Sequence, residues 1–197
     1  THLILITDPT LPTGTAPGAI NVECLGAVPA ADPLLITDEA DNQGVPTVAW
    51  EGDVSDNNTC PETIIRTYSI TDLCLNVVLL EQIITVMDVT APVMDVPPVA
   101  VSVQCIGDVP VMTDLGYTDN CDPTGTVTGT DVSDNNSCPE TITRSWFYTD
   151  DCGNVSLTAT QIITVHDTQA PIIVGTPAAI AVQCVGDVPA MIDLGYT

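Results

Sequence analysis

The 197-residue sequence has no lysine and only two arginines against 26 acidic residues, so its formal net charge is −24. A chain so poor in cations is not expected to bind the phosphate backbone of nucleic acids. It also lacks an apolar run long enough to span a membrane and a recognisable signal peptide, so no membrane insertion is expected. Hydrophobic residues still make up 45% of the composition, which indicates a folded chain and excludes an acidic disordered one.

The sequence also lacks the features of a structural zinc site. No Cys-x-x-Cys pair occurs, and the two histidines, His2 and His166, do not accompany cysteines. Eight cysteines at matching places instead indicate disulfides formed in an oxidising compartment. The sequence therefore predicts a secreted or cell-surface protein.

Internal repetition is the strongest signal in the chain. The hexapeptide "DVSDNN" stands at 53–58 and again at 131–136, and each time "CPETI" follows closely, at 60–64 and 138–142. "VQCIGDVPVMTDLGYT" at 103–118 returns as "VQCVGDVPAMIDLGYT" at 182–197. The period is about 78 to 81 residues. We therefore expect the tail end of a preceding repeat at 1–8, whole copies at 9–88 and 89–167, and the first part of a further copy at 168–197.

Helical periodicity is absent, and Val, Ile and Thr dominate short stretches that end at Gly, Pro, Asn or Asp, which predicts an all-β fold of tandem immunoglobulin-like antiparallel β-sandwiches. In the second copy, strands are expected at Val99–Cys105, Val111–Tyr117, Gly125–Val132, Thr141–Thr149 and Val155–His166. Period-two alternation puts Ile142, Arg144 and Trp146 on one face, with Ile64, Arg66 and Tyr68 in the first copy. Arg66 and Arg144 are expected to pair with carboxylates.

If successive strands alternate in direction, each loop can be assigned to one of the two ends of its copy. Cys105 and Cys138 then fall at one end, and Cys121 and Cys152 at the other. Bridged Cα atoms must lie within about 7 Å, so we predict the pairs Cys105–Cys138 and Cys121–Cys152. In the first copy Cys24 is expected to pair with Cys60. Gln43 replaces the counterpart of Cys121, so Cys74 would stay free, and Cys184 would need a partner beyond Thr197.

Aspartate is the commonest acid, 20 residues against six Glu, and it collects in loops beside Asn and Gly. At the junction of the two whole copies several of these side chains are expected to converge and bind Ca²⁺, which takes six to eight oxygen ligands. No EF-hand loop occurs. The alternative is that surface Asp residues only solubilise the domain. The predicted ligands are Asp53, Asp56, Asp88, Asp119, Asn120, Asp122, Asp150 and Asp151, with Asp131, Asp134 and Asp167 as counterparts in the second copy.

Three stretches resemble a known family: "YTDNCD" (117–122), "CPETITRSWFYTDDCGN" (138–154) and "QIITVHDTQAP" (161–171). They are similar to the tandem hyalin-repeat (HYR-like) or immunoglobulin-like modules of long secreted bacterial surface proteins, especially those of Bacteroidetes. The first copy departs from this pattern at "EADNQG" and "TDLCLN". The resemblance implies an extracellular β-sandwich array used as a stalk, adhesin or fibre, without catalytic residues.

Two functions are expected to compete. One is a structural rod or filament whose domains are stapled by disulfides and whose junctions are stiffened by calcium, with further repeats or copies of itself as partners. The other is an adhesin module whose loops recognise a glycan, a protein or a cell surface. Loops held identical between copies favour the rod, because a binding module would vary them. An enzyme is not expected, since each copy lacks a base beside a Ser or Cys nucleophile.

Overall fold

The structure is a computed structural model that describes residues 7–197, so most of the predicted tail at 1–8, with His2, lies outside the described residues. The described chain is all-β, with 3-10 turns as its helical elements. The first copy contains β1 (Thr13–Thr15), β2 (Ile20–Val22), β3 (Thr37–Ala40), β4 (Thr47–Ser55), β5 (Glu62–Thr71) and β6 (Val77–Val86). The second contains β7 (Val93–Met94), β8 (Val101–Val103), β9 (Leu115–Thr118), β10 (Gly125–Val127), β11 (Thr130–Ser133), β12 (Glu140–Trp146) and β13 (Ala159–Val165). The chain continues with β14 (Ile173–Val174) and β15 (Gly195–Tyr196). The 3-10 turns are Leu25–Ala27, Pro33–Leu35, Ile106–Asp108 and Val185–Asp187.

The large sheet has the same strand order in both whole copies, and the smaller sheet gains one strand in the second. In the first copy one sheet has the order β2-β6-β5-β4, and β1 pairs with β3. In the second copy the corresponding sheets are β11-β12-β13-β8 and β10-β9-β7. In each large sheet, the strand that comes first in the chain lies parallel to the strand that comes last in the chain: β2 to β6, and β8 to β13. Parallel first and fifth strands are what alternating strand directions require, so that expectation is confirmed.

The strand bounds differ from the prediction at one informative place. The expected strand Gly125–Val132 is two strands, because β10 pairs with β9 while β11 belongs to the sheet of β12. Gly129 lies at this change of sheet, and a Cβ there would stand 2.7 Å from Nε1 of Trp146. Only glycine leaves room for the indole so close to the backbone. The four other expected strands are shortened: β8 covers only Val101–Val103, β9 begins at Leu115, β12 ends at Trp146 and β13 begins at Ala159.

Alternating residues of β5 and β12 provide the core, as their period-two pattern predicts. Tyr68 and Ile70 are fully buried in the first copy, and Trp146 is 1% exposed in the second. The indole N–H of Trp146 donates to the backbone carbonyl of Thr113 at 3.1 Å, so its one polar group is satisfied. Around Tyr68 and Ile70 pack Ile36 and the partly buried Val48 and Leu80.

Arg66 and Arg144 share these buried faces, at 4% and 3% exposure. Arg66 binds Asp53, and Arg144 binds Asp131, each through two hydrogen bonds of 2.8 to 2.9 Å. The predicted pairing of both arginines with carboxylates is therefore confirmed. Bidentate geometry is the arrangement in which a buried guanidinium is best compensated.

Two compact units divide the chain. The first contains the residues up to Pro98, Met112–Asp131 and Arg144–Gln161. The second contains Val99–Val111, Val132–Thr143 and Ile162–Thr197. Within residues 7–197 there is no helix with the length and apolar character needed to cross a membrane. The predicted copy boundaries at 9–88, 89–167 and 168–197 stay a prediction, and "copy" is used below for those sequence ranges.

Candidate functional site

Two disulfides join the first copy to the second, and all four cysteines belong to the first compact unit. They are Cys24–Cys121 and Cys60–Cys152, each with Cα atoms 5.1 Å apart. We call the region defined by these four cysteines the joint.

The predicted pairs Cys24–Cys60, Cys105–Cys138 and Cys121–Cys152 are therefore wrong. Strand alternation assigned Cys24 and Cys60 to one end of their copy, and Cys121 and Cys152 to one end of theirs. Those two ends meet, however, and each cysteine finds its partner in the other copy. Cys74, Cys105, Cys138 and Cys184 form no disulfide within the described residues.

The repeated hexapeptide forms the turn between β4 and β5 and is held by its own side chains. The Asp56 carboxylate accepts backbone N–H groups of Asn58 and Thr63, both at 3.1 Å. Asn57 has φ of 57°, a left-handed conformation that Asn tolerates better than most residues. The second copy repeats this turn with Asp134, whose carboxylate accepts the N–H groups of Asn136 and Thr141. The hexapeptide thus fixes the turn that presents the following cysteine.

Four predicted calcium ligands in these hexapeptides have other partners. The Arg66 guanidinium, hydrogen-bonded to Asp53, holds the pKa of that carboxyl below its usual range. Arg144 does the same for the pKa of Asp131. Backbone N–H groups of their own turns lower the pKa of Asp56 and of Asp134. Asp53, Asp56, Asp131 and Asp134 belong to neither acidic cluster of the described residues, and their carboxylates already accept hydrogen bonds, so metal binding by these four residues stays a prediction.

Three other predicted ligands do come together, and we call Asp88, Asp119 and Asp150 the acidic trio. Each offers an oxygen atom, and these oxygens lie within 4.8 Å of one another. Asp88 is 4% exposed and Asp150 is 7% exposed. Oδ2 of Asp88 and Oδ1 of Asp119 are buried and have no hydrogen-bond partner among residues 7–197. Buried polar atoms are normally satisfied, so these two oxygens are free to accept a hydrogen bond or to bind a cation.

The remaining carboxylate oxygens of the acidic trio are fixed by hydrogen bonds. Asp150 Oδ1 accepts the N–H groups of Cys152 at 2.9 Å and Asn154 at 2.7 Å. Asp119 Oδ2 accepts the N–H of Cys121 at 3.0 Å. The Asn154 amide also donates to the backbone carbonyl of Asp88 at 3.0 Å. The two loops that carry the bridged cysteines therefore also orient the trio.

Further polar contacts surround the trio. Glu23 of the first copy accepts hydrogen bonds from Asn120 at 2.8 Å and from Thr90 at 3.0 Å. Asp151 donates its N–H to Asp122 at 3.2 Å. Loss of water raises the pKa of Asp122, and the charges of Asp151, Asp119 and Asp150 act in the same direction. Asn120, Asp122 and Asp151 thus lie at the joint as predicted, outside the trio itself.

A cavity of about 280 Å³ opens at the joint beside the trio. Five acidic residues line it together with Cys24, Cys121 and Cys152: Glu23, Glu62, Asp88, Asp122 and Asp151. An acidic lining of this kind raises the local concentration of cations.

A second acidic trio exists that the sequence reasoning missed. Asp8, Asp41 and Asp72 again bring oxygens within 4.8 Å of one another. Oδ2 of Asp8 and Oδ1 of Asp41 are buried without a hydrogen-bond partner in the described part of the chain. Loss of water raises the pKa of the neighbouring Cys74, and the charges of Asp8, Asp72 and Asp41 add to the shift. The signal was available, because the repeat period maps Asp88, Asp119 and Asp150 onto these three residues.

Asp167, the last predicted ligand, is the second-copy counterpart of Asp88. It accepts the N–H of Gln169 at 2.8 Å, as Asp88 accepts that of Thr90. Asp167 belongs to neither acidic trio of the described residues. Its backbone carbonyl accepts a long hydrogen bond of 3.8 Å from the thiol of Cys138.

A comparison with protein families identifies a match in the second copy. No curated protein matches the chain. Residues 93–165 match the family described as an HYR-like domain with 4 cysteines, and the cysteines in that range are Cys105, Cys121, Cys138 and Cys152. The match and the two disulfides fit an extracellular protein. Residues 93–165 are thus similar to an HYR-like domain, and this match covers less than half of the chain.

Proposed function

We propose that the chain is a stretch of an extracellular structural array, a stalk or fibre of tandem repeats at a cell surface, whose consecutive repeats are locked end to end. The observation that carries this proposal is the pair of disulfides Cys24–Cys121 and Cys60–Cys152, both of which join consecutive copies. Two bridges fix the relative orientation of two bodies far better than one, because a single bridge leaves rotation about it. A module that only displays recognition loops has no need of such a joint.

The loops of the joint also support the structural role. A binding module keeps its loops exposed and variable, whereas the loops here hold the neighbouring copy. Asn120 contacts Glu23 of the first copy, and Asn154 contacts the linker carbonyl of Asp88. The hexapeptide loops form their hydrogen bonds internally and present Cys60 and Cys138.

A bound divalent cation at the acidic trio is the second part of the proposal. Two carboxylates with oxygens 4.8 Å apart repel by about 3 kcal/mol at an effective dielectric constant of 20, and three such pairs by about 10 kcal/mol. Burial of Asp88 and Asp150 leaves little water to screen this repulsion. A cation removes the repulsion and gives the orphaned oxygens of Asp88 and Asp119 a partner.

Calcium is the cation that fits best. The trio offers carboxylate oxygens only, without the nitrogen or sulfur donors that zinc and copper prefer. Ca²⁺ accepts six to eight oxygens with loose angular demands, whereas Mg²⁺ requires a near-ideal octahedron. Asp88, Asp119 and Asp150 would hold the ion, and Asp8, Asp41 and Asp72 would hold a second. The ion would supply charge neutralisation that ties the linker to the loops of the following copy.

Electron microscopy of the native material, in calcium and after a chelator, tests this proposal. We expect long particles with an axial repeat of one or two domains in calcium, and bent or kinked particles after the ion is removed. Isothermal titration of the 197-residue chain should show two calcium sites. Compact single-domain particles would contradict the structural role. An absence of calcium binding would contradict the proposed calcium sites.

A further inference from the structure

One end of the first copy carries Cys74. The loop there forms the same hydrogen bonds as the loop of the second copy that carries Cys152 at the joint. Asp72 Oδ1 accepts the N–H groups of Cys74 and Asn76, both at 2.8 Å. In the second copy Asp150 Oδ1 accepts those of Cys152 at 2.9 Å and Asn154 at 2.7 Å. The Asn76 amide donates to Asp72 Oδ2 at 2.7 Å, and its counterpart in the second copy does so at 2.8 Å. The first copy therefore has a loop built in the same way as the loop that the second copy places against the first at the joint.

The chain that enters this end also follows the pattern of the joint. The Asn76 amide donates to the backbone carbonyl of Asp8 at 3.0 Å, as the Asn154 amide does to that of Asp88. Asp8 Oδ1 accepts the N–H of Thr10 at 2.9 Å, and Asp88 accepts that of its own second-following residue at 2.8 Å. Asp8 thus occupies the position of the inter-repeat linker. At the joint, the residue at that position is Asp88, which ends the first copy and connects it to the second.

The two ends differ in their cysteines. Cys74 corresponds to Cys152, which is bridged to Cys60 in the "CPETI" segment. Gln43 stands where the second copy has Cys121, so this end has no cysteine to form the second disulfide. An unpaired cysteine in an oxidised extracellular chain indicates a partner elsewhere.

We propose that this end is the receiving half of a second joint, in which Cys74 forms a disulfide with the cysteine of a Cys-Pro turn in a repeat N-terminal to Asp8 in the polypeptide. The proposal rests on the tandem array proposed above. It adds that joints of this protein carry either one bridge or two. Which number applies depends on the residue at the position of Gln43 and Cys121.

Formation of the bond follows ordinary thiol oxidation. The two S–H bonds break, one S–S bond forms, and the two protons pass to the oxidant. The two electrons pass to a disulfide oxidant of the secretory route, which is itself reduced to a dithiol. Gln43 has no thiol and takes no part.

Disulfide mapping of the full-length native protein tests the inference. The protein is denatured in N-ethylmaleimide without reductant, digested, and its linked peptides are identified by mass spectrometry. We expect Cys74 to be unalkylated and linked to a peptide that contains Cys-Pro. The Cys60–Cys152 link in the same digest serves as the internal control.

The outcomes separate this inference from the proposed function. An alkylated Cys74 beside an intact Cys60–Cys152 link would overturn the second joint and leave the first one standing. A link from Cys74 to a cysteine outside a Cys-Pro turn would also overturn it. Loss of the Cys60–Cys152 link itself would contradict the proposed function.

Two variants of the full-length protein give a second readout. Cys74→Ser should expose one new alkylatable thiol, located in a Cys-Pro peptide other than that of Cys60. Cys152→Ser is the matched control, because it should expose the thiol of Cys60 in the same way. If Cys74→Ser exposes no new thiol while the control does, the inference is wrong.

Discussion

Substitution of Asp119 by Asn should change stability in opposite directions with and without calcium. Asp119 takes part in two of the three carboxylate pairs of the acidic trio. At about 3.5 kcal/mol per pair, neutralising it removes about 7 kcal/mol of unscreened repulsion from the calcium-free protein. Solvent penetration and splaying reduce this figure, and we expect a gain of about 1 to 2 kcal/mol, or several degrees in Tm.

The substitution is conservative toward the loop. Asp119 Oδ2 accepts the N–H groups of Cys121 and Asp122, and the Asn carbonyl oxygen can accept both. In calcium the wild-type chain gains about 2.7 kcal/mol when the ion is present at 100 times its Kd. Asp119→Asn weakens the ion site and forfeits most of that gain. The variant should therefore be more stable than the wild type in chelator and less stable in calcium.

Thermal unfolding followed by circular dichroism, in EGTA and in calcium at about 100 times its measured Kd, tests whether the variant is more stable in the first buffer and less stable in the second. Asp38→Asn is the matched control, since it removes one charge at an exposed position whose φ of 55° Asn tolerates. It should not respond to calcium differently from the wild type. The claim that calcium relieves repulsion in the acidic trio is wrong if the wild-type Tm does not change with calcium. It is also wrong if the Asp119→Asn protein is less stable than the wild type in both buffers.

Three further results are expected for the same chain. The double variant Cys24→Ser, Cys121→Ser opens a loop with a sequence separation of 97 residues and should lose up to about 4.7 kcal/mol in guanidinium unfolding; a loss near zero would contradict a rigid joint. Asp53→Asn leaves a buried guanidinium without its anion and should cost about 3 to 5 kcal/mol at pH 7. Because folding lowers the pKa of Asp53, that cost should be present above the unfolded carboxyl pKa of about 4 and shrink as pH falls through the folded value; an equal cost at low and neutral pH would exclude the ion pair as its cause. Gly129→Ala forces a Cβ against the buried indole and should cost about 1 to 3 kcal/mol, whereas Gly107→Ala, which enters open space, should cost far less; equal Tm shifts would contradict this packing.

The sequence predicted the fold well because its signals there are local. Period-two alternation identified the buried faces of β5 and β12, and two arginines in a chain with 26 acids had to find carboxylates. The break between β10 and β11 was not predictable, because it depends on where the Trp146 indole packs against Gly129. That contact is tertiary and leaves no periodic trace.

The candidate site was predicted in part, and the errors share one cause. Strand alternation assigned each cysteine to an end of its copy, yet it carries no information on whether that end closes on itself or on a neighbour. The bridges proved to join neighbours, through Cys24–Cys121 and Cys60–Cys152. The same limit affected the acids, since Asp53 lies in the right turn but faces Arg66 on its own sheet.

Because Cys24 is bonded directly to Cys121, a pull on the two termini does not travel along the peptide between them. The force passes through the disulfide instead. The sequence separation of 97 residues, about 330 Å of extended polypeptide, therefore cannot be stretched. Most of the first copy and about the first two fifths of the second would therefore add no length even after their sheets had unfolded. An atomic force microscope should record a contour length short by this amount, and a reducing agent should restore it.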